Sequence, residues 1–457
     1  MKQISLRILL PAILFVMGLI SSCGPKKEEP LNLQLSETTI TLSVGESKTL
    51  TVRGIGKDYK LSWSVNKPTI ASVENGKVTA KAVGDAVVTV RVDCPCGKVQ
   101  ELNCQVIVNK GNLRYIPFED ANLKRLILER YDIDKNKDGE LTPEEVEGVK
   151  ALMFEFATKE EIAEKDKIKS LKGLEYFVNL DSLGLKNQFV TNASPVFGLT
   201  HLVYLHLGNN DIAELNVSSM KQLKDLRAYG NINLKQLDLS HNVELEQLYL
   251  QNVSIPRLDL TPLKKLTKAL LNKGRLKEII FSDLPLLERI DMVENNLTTV
   301  KAKNLPVLKE LHANSNEIDN VELKNLPKLE RLNLYGNKLK QIDLSELHKI
   351  MFLFLFNNPL ESLDLSNQQE LFQLFISNSS LEQLDLSKNP AIASLEAINM
   401  SKLKTINLRN KGYNEEAEYF IVENNNALEK VMVDAGAEET HVRNLFKNNS
   451  KVTIEAE

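Results

Sequence analysis

Oxygen-bearing side chains are concentrated in one short stretch of this 457-residue chain, between residues 134 and 145. Asp134, Asn136 and Asp138 alternate with lysines, and Gly139 follows directly. Carboxylate and amide oxygens are the ligands that a hard cation such as calcium prefers. Without a cation, the carboxylates in this stretch would repel one another at short range. The stretch therefore predicts a calcium site rather than an ordinary acidic turn.

The same stretch resembles an EF-hand loop, with oxygen side chains at its first, third and fifth positions, glycine at its sixth and glutamate at its twelfth. The resemblance implies one structural calcium ion that braces the joint between two domains. Its ligands would be Asp134, Asn136, Asp138, the carbonyl of Glu140, Thr142 and both carboxylate oxygens of Glu145. The alternative is an EF-like helical pair that has lost calcium.

Two amphipathic helices are predicted on either side of this loop. Apolar residues recur at helical spacing from Glu119 to Tyr131 and again from Glu144 to Phe154. We assign residues 111–178 to this short helical, EF-hand-like cap.

The first residues have the pattern of an export signal. Lys2 and Arg7 precede an apolar stretch that is too short to span a bilayer. The run Ile20-Ser21-Ser22-Cys23-Gly24 resembles the lipobox of bacterial lipoproteins, which implies lipidation of Cys23. The charged run that follows at 26–29 resembles the signal that sends Bacteroidetes-type lipoproteins to the outside of the outer membrane. We therefore expect a signal peptide at 1–22, a lipid-anchored tether at 23–30 and a surface-exposed outer-membrane lipoprotein. The alternative is an ordinary signal peptide with an incidental cysteine.

Residues 31–110 alternate between apolar and polar, with turn residues at short intervals, and so predict an antiparallel β-sandwich. The runs Val44-Gly45-Glu46, Trp63-Ser64 and Gly76-Lys77-Val78 resemble the bacterial Ig-like domain of the BIG2 type, in which Trp63 would be a core residue.

Three of the four cysteines fall near the last hairpin of this domain. Outside the cytosol we expect a disulfide from Cys104 to either Cys94 or Cys96, with one thiol left over. Three cysteines without a fourth ligand argue against a zinc site.

The longest segment, residues 179–411, repeats the pattern LxxLxLxxN at a nearly constant interval, as Leu287, Leu308 and Leu329 illustrate. This regular interval predicts eleven leucine-rich repeats, each with one short strand and a thin, extended return segment. Asparagines at the last position, such as Asn210 and Asn358, can bond the backbone between turns. Stacking would give a solenoid with a concave parallel sheet, and residues 412–457 would form a C-terminal cap.

The predicted fold class is therefore multidomain: an all-β Ig-like sandwich, a short α-helical cap and a leucine-rich repeat solenoid. This combination resembles the internalin-like leucine-rich surface proteins of bacteria, particularly lipoproteins of Bacteroidetes. In internalin-like proteins the Ig-like module often follows the repeats, whereas here it precedes them. The resemblance implies a lipid-anchored binding protein.

Aromatic residues crowd the predicted concave face in its C-terminal third. Side chains between the leucines should point outward from the sheet, and in one repeat all three outward positions are phenylalanine. Aromatic anchors with arginine neighbours are typical of protein interfaces. The predicted contact residues are Phe352, Phe354, Phe356, Phe375 and Tyr335, with Arg289 and Arg331 at the rim. The alternative is that the rings merely stack along the sheet, or that a C-terminal segment covers them.

Charge and composition disfavour other classes of function. The net charge is −4, from 57 basic and 61 acidic side chains, which leaves no cationic excess for nucleic acid. His206 and His312 lie five repeats apart, about 24 Å at strand spacing, too far to act on one bond, and both are expected at the surface. We expect no enzymatic activity.

We expect instead adhesion to a protein partner on a host or bacterial surface, with membrane attachment through the lipid alone. The alternative is a glycan-binding accessory of a polysaccharide uptake system. That role would require more polar residues beside the rings than Asn333 and Gln373 supply.

Overall fold

The structure is a computed structural model that describes residues 32–109, 115–413 and 419–457. Cys23 and the predicted signal peptide and tether lie outside the described residues. Within the described ranges, no helix is both long enough and apolar enough to cross a membrane.

Residues 32–109 form a β domain of two main sheets. Alternation along Gly84–Asp93 buries Ala86, Val88, Val90 and Val92, which is the inward face that the period-two pattern predicts. The four-stranded sheet contains, in spatial order, Thr39–Ser43, Val99–Asn109, Gly84–Asp93 and Lys60–Val65, of which the first two are parallel and the other neighbours antiparallel. The three-stranded sheet contains Ser47–Thr49, Lys77–Ala80 and Ala71–Glu74, and a separate pair joins Gln34–Leu35 to Val52–Arg53. Trp63 packs half-buried against the core.

The predicted disulfide from Cys104 is wrong. Cys94 bonds Cys96 at the tip of the last hairpin, and Cys104 is a free thiol with no exposed surface. Cys104 lies on the inward face of its strand, opposite Val88, so its side chain points into the core and away from the hairpin tip. Burial raises the pKa of the Cys104 thiol.

The cap contains one of the two predicted helices. Helix Ala121–Arg130 is capped by Asp120 and buries Leu123, Leu126 and Ile127. The second prediction is wrong, because the helix Pro143–Val146 has only four residues and is followed by a strand, Ala151–Met153. That strand pairs with Ser182–Gly184, and this pairing overrides the helical pattern of its apolar residues. Single 3₁₀ turns lie at Glu164–Asp166, Leu174–Tyr176 and Ser194–Val196.

A thirteen-stranded parallel sheet forms the concave face of a solenoid. It contains two strands more than the eleven predicted repeats, one at each end. The repeat pattern does not predict these two end strands. Leu152 pairs with Leu183, and Leu395 with Phe420, and both pairs are further apart in sequence than the regular repeat interval. In spatial order the strands are Ala151–Met153, Ser182–Gly184, Tyr204–His206, Asp225–Arg227, Gln247–Tyr249, Lys268–Leu270, Arg289–Asp291, Glu310–His312, Arg331–Asn333, Phe352–Phe354, Gln373–Phe375, Ser394–Ile398 and Tyr419–Glu423.

The opposite side of the solenoid is thin and extended, as predicted. It carries two strand pairs, Arg257–Asp259 with Glu278–Ile280 and Thr299–Lys303 with Asn320–Lys324. At the C-terminal end, a four-stranded parallel sheet contains Gln383–Asp385, Thr405–Asn407, Lys430–Val433 and Thr453–Ala456. The unpredicted helix Ala437–Leu445 lies between the last two of these strands.

The repeat asparagines join consecutive turns. Asn358 is only 1% exposed; its Oδ1 accepts the Leu339 N–H at 3.0 Å, and its Nδ2 donates to the carbonyls of Leu334 and Leu355, both at 2.9 Å. Each such residue bonds three buried backbone groups, and at least one of its two carbonyl partners is shared with the neighbouring asparagine, as Leu334 is shared by Asn337 and Asn358. The same arrangement recurs at Asn210, Asn231, Asn295, Asn316 and Asn337. The concave strands are therefore held at fixed spacing.

Candidate binding surface on the concave sheet

The concave side chains come from the residues between the buried leucines. In strand Phe352–Phe354, Leu353 is fully buried, whereas Phe352 and Phe354 are half-buried. The same alternation leaves Tyr335, Phe356 and Phe375 half-buried on the same face. None of the five predicted aromatic residues is enclosed inside the coil.

The aromatic residues contact one another across neighbouring strands. Tyr335 stacks on Phe356, with ring centroids 4.2 Å apart and planes 12° apart. Phe354 meets Phe375 edge to face at 5.3 Å, and Phe352 meets Phe372 in the same way at 6.2 Å. These six rings, Tyr335, Phe352, Phe354, Phe356, Phe372 and Phe375, form what we term the aromatic patch.

Phe372 is absent from the predicted contact residues. It directly follows the first leucine of its repeat, one residue before strand Gln373–Phe375, and is 44% exposed. The prediction considered only the outward positions within and after the strands. The sequence signal that could have found Phe372 is its position between Leu371 and Leu374, because a large apolar side chain there cannot share their inward direction.

Arg331 lies within the aromatic patch. Its guanidinium carbon is 4.0 Å from the ring centroid of Phe352 and 5.7 Å from that of Phe354. A guanidinium over a ring face is attracted by the negative face of the π system. With the residues that the structure describes, Arg331 makes no hydrogen bond and no ion pair.

Arg289 is engaged in a charge network outside the aromatic patch. Its Nε and Nη2 donate to Asp291 at 3.1 and 2.9 Å, and its Nη1 lies 2.9 Å from Glu310. The hydrogen bond to Asp291 raises the pKa of Arg289. Burial raises the pKa of Glu310, but the hydrogen bond from His312 and the charge of Arg289 outweigh it and hold this pKa below its ordinary value. The structure therefore places Arg289 two strands before Arg331 and does not join it to the rings.

A second cluster lies near the N-terminal end of the sheet, and sequence reasoning missed it. His206, expected at the surface, is only 3% exposed. Its Nδ1 is 2.7 Å from Glu155 Oε1 and its Nε2 is 3.1 Å from the Tyr229 hydroxyl. Burial lowers the pKa of His206, although Glu155 acts in the opposite direction. Both ring nitrogens are partnered, so this network is closed. The sequence signal that could have found this cluster is Gly208 at an outward position. A Cβ there would lie 2.6 Å from Tyr229, so only glycine leaves room for the Tyr229 ring.

The predicted calcium loop has a turn that glycine permits. Gly139 has φ +78° and donates its N–H to Asp134 Oδ2 at 3.0 Å. The Asp138 N–H donates to Asn136 Oδ1 at 2.8 Å. The other carboxylate oxygen of Asp134, Oδ1, is buried and has no hydrogen-bond partner. This is the oxygen that a bound cation would satisfy.

The carboxylate of Glu145 is engaged at the end of the loop. It accepts the Lys135 N–H at 3.1 Å and the Thr142 N–H at 2.9 Å, the latter as part of a capping box. Glu140 pairs with Lys124 at 2.6 Å, which leaves its carbonyl, the group predicted as a ligand, independent of its side chain. Across the described ranges, no three Asp, Glu, His or Cys side chains are grouped so that they could hold a metal ion. The residue types and spacing suit calcium, but Glu145 would have to leave its capping contacts to join Asp134.

No protein-family model matches the chain, and no curated protein matches it significantly. Among solved structures, the functional domain of InlJ from Listeria monocytogenes, which includes a cysteine ladder, has a TM-score of 0.51 and 20% identity over 69% of this chain. An internalin, InlF, from Listeria monocytogenes gives a TM-score of 0.39 at 20% identity, covering 66% of this chain and 96% of that one. The LRIM1/APL1C complex gives 0.46 at 15% identity, covering 77% and 64%.

The chain spans 64% of the InlJ structure. This likeness shows the fold alone, a leucine-rich repeat solenoid like that of the InlJ domain.

Proposed function

We propose that this chain is a surface binding protein that holds a protein partner on the aromatic patch. The observation that carries the proposal is the partial exposure of six rings, in three contacting pairs, on the concave face. Apolar clusters seldom face water on a soluble monomer without a binding role. Tyrosine, phenylalanine and arginine are also the residue types enriched in protein interfaces.

The rigidity of the array supports the same proposal. The buried asparagines join turn to turn, so the rings are held in position before a partner arrives. A preordered surface loses little conformational freedom on binding, which improves affinity for a given contact area.

The proposal predicts that the triple change Phe352→Ser, Phe354→Ser, Phe356→Ser abolishes capture of surface proteins. Circular dichroism should not change, because the inward residues Leu353 and Leu355 are kept. Leu286→Ser is the matched control, since Leu286 is 47% exposed and lies outside the patch. Capture would be measured by pull-down from host and bacterial surface proteins.

Retained capture by the triple variant would contradict the proposed site. A glycan array run on the same proteins separates the two kinds of ligand. Ring-dependent binding to sugars, with no protein captured, would replace the protein partner by the glycan-accessory role.

We propose that the protein reaches the cell surface through lipidation of Cys23 and the outer membrane. The support is the sequence from residue 1 to 29. Cys23→Ser should release the protein from the membrane fraction, and unchanged membrane association would contradict lipid anchoring. We further propose that the β domain of residues 32–109 is an Ig-like domain of the BIG2 type and serves as the spacer.

We also propose one structural calcium ion in the loop from Asp134 to Glu145. The loop spacing and the unpartnered Oδ1 of Asp134 support it. Bound calcium would offset the negative charge of the loop carboxylates and brace the cap between the β domain and the solenoid.

A further inference from the structure

The arginines on the concave face differ in whether the guanidinium already donates hydrogen bonds to a carboxylate of the same chain. Arg227 donates from Nε and Nη2 to Asp225 at 2.9 and 2.8 Å. Arg289 is bound in the same two-pronged manner by Asp291. Arg331 has ring faces beneath it and makes no ion pair with any residue in the described ranges. Its charge acts on Glu310, which lies opposite it on the neighbouring strand, but no hydrogen bond or ion pair with a described residue occupies its donors, which are therefore available to a ligand.

The surroundings of Arg331 make an anionic ligand favourable. Arg331 is half-buried beside Phe352 and Phe354, and a partly buried charge gains more from a paired opposite charge than an exposed one does. A guanidinium binds a carboxylate through two parallel hydrogen bonds, which also fixes orientation.

The charge of this part of the sheet selects one kind of anion. Within the strands from Glu310–His312 to Gln373–Phe375, Arg331 is the only lysine or arginine. Lys309, one residue before the first of these strands, is paired with Glu288. A phosphoryl group carries about two negative charges near neutral pH and is bound best by several cations. A single guanidinium between phenylalanine rings instead matches one carboxylate with apolar neighbours.

We propose that the aromatic patch recognises a protein segment that presents a carboxylate beside an apolar side chain. Arg331 receives the carboxylate, and the rings around Phe354 and Phe375 receive the apolar side chain. This inference rests on the proposed function, because it names the chemistry of the partner at the same site.

The test is selection of a phage-displayed random peptide library on the full chain. We expect peptides enriched in Asp or Glu next to a large apolar residue. Selection on Phe354→Ser should yield none of these peptides. Selection on Arg331→Met should keep the apolar preference and lose the acidic one, because methionine retains an unbranched apolar stem without the charge. Arg257→Met is the matched control, since Arg257 is exposed and lies outside the concave sheet.

A double-mutant cycle then measures the pairing directly. Replacing the acidic residue of a selected peptide by its amide should weaken binding to the parent at least tenfold, and should hardly affect binding to Arg331→Met. Ring-dependent peptides without an acidic preference, or equal losses on both proteins, would overturn this inference and leave the proposed function standing. A library that yields no ring-dependent peptide would overturn both.

Discussion

At the scale of single residues, alternation along a strand explains which side chains are available. The period-two pattern could predict the outward direction of Phe352 and Phe354, because Leu353 between them is buried. It could not predict which arginine is free. Arg289 has an aspartate two residues on, whereas Arg331 has Asn333 at the same position. An aspartate two residues away on the same face therefore pairs the arginine within its strand, as Asp291 does for Arg289 and Asp225 for Arg227.

The cysteines show the opposite case, in which a residue-level prediction failed. Cys94, Cys96 and Cys104 are close enough in sequence for several pairings. The inward face of the strand decided the outcome, because it buries Cys104 in the core. The inward direction of the Cys104 side chain could have been predicted from the alternation of apolar and polar residues along Val99–Asn109. Val106 and Val108 lie on the same buried side as Cys104.

The proposed calcium site can be tested by replacing a single residue, Asp134. Asp134→Ala should lower the thermal midpoint much more with calcium than with chelator, since its Oδ1 lacks any other partner, whereas the loss of the Gly139 N–H bond to Oδ2 acts in both conditions. With calcium about a hundredfold above its dissociation constant, the parent should gain roughly 2.7 kcal/mol over the chelated protein. Differential scanning calorimetry with calcium and with chelator measures this gain.

Asp132→Ala is the control for that experiment, because the Asp132 side chain is 96% exposed and precedes the loop. It should keep the calcium response of the parent. Identical midpoints for the parent with calcium and with chelator would refute a bound ion.

At the scale of elements, the repeat turn is the unit that the sequence predicts well. Leucines at fixed spacing specify one buried strand per turn, and the asparagine completes the backbone hydrogen bonds. The repeat pattern does not predict the two end strands. Each is separated from its neighbouring strand by more residues than the regular repeat interval. Ala151–Met153 is a strand because it can pair with an existing sheet edge, not because of its own sequence.

The asparagine ladder predicts a measurable loss of stability. Asn358→Ala removes three hydrogen bonds and leaves the Leu355 carbonyl and the Leu339 N–H without partners, while the Leu334 carbonyl keeps its bond from Asn337. The expected cost is roughly 2–4 kcal/mol in the free energy of unfolding. Urea denaturation measures the loss, and hydrogen exchange should show faster opening at the Leu339 amide.

Asn367→Ala is a control in the following turn, because Asn367 is exposed. It should change the unfolding free energy by less than about 0.5 kcal/mol. Equal effects of the two substitutions would mean that the ladder contributes nothing beyond ordinary surface asparagine.

At the scale of the whole molecule, the concave face has three zones along the solenoid. Near the N-terminal end, His206, Glu155 and Tyr229 satisfy one another. In the middle, Arg289 and its carboxylates do the same. Of these three zones in the described part of the chain, only the aromatic patch combines exposed apolar surface with an unpaired charge. This uneven distribution is the physical reason for assigning binding to the C-terminal third.

Site-specific crosslinking tests that assignment most directly. A benzoylphenylalanine introduced at Phe354 in the full chain should, on illumination with surface proteins, form covalent protein adducts that excess parent protein competes away. The same photoreactive group at Leu286 should form none. Absence of adducts at Phe354, or equal adducts at both positions, would contradict the claim that a protein partner docks on the concave rings.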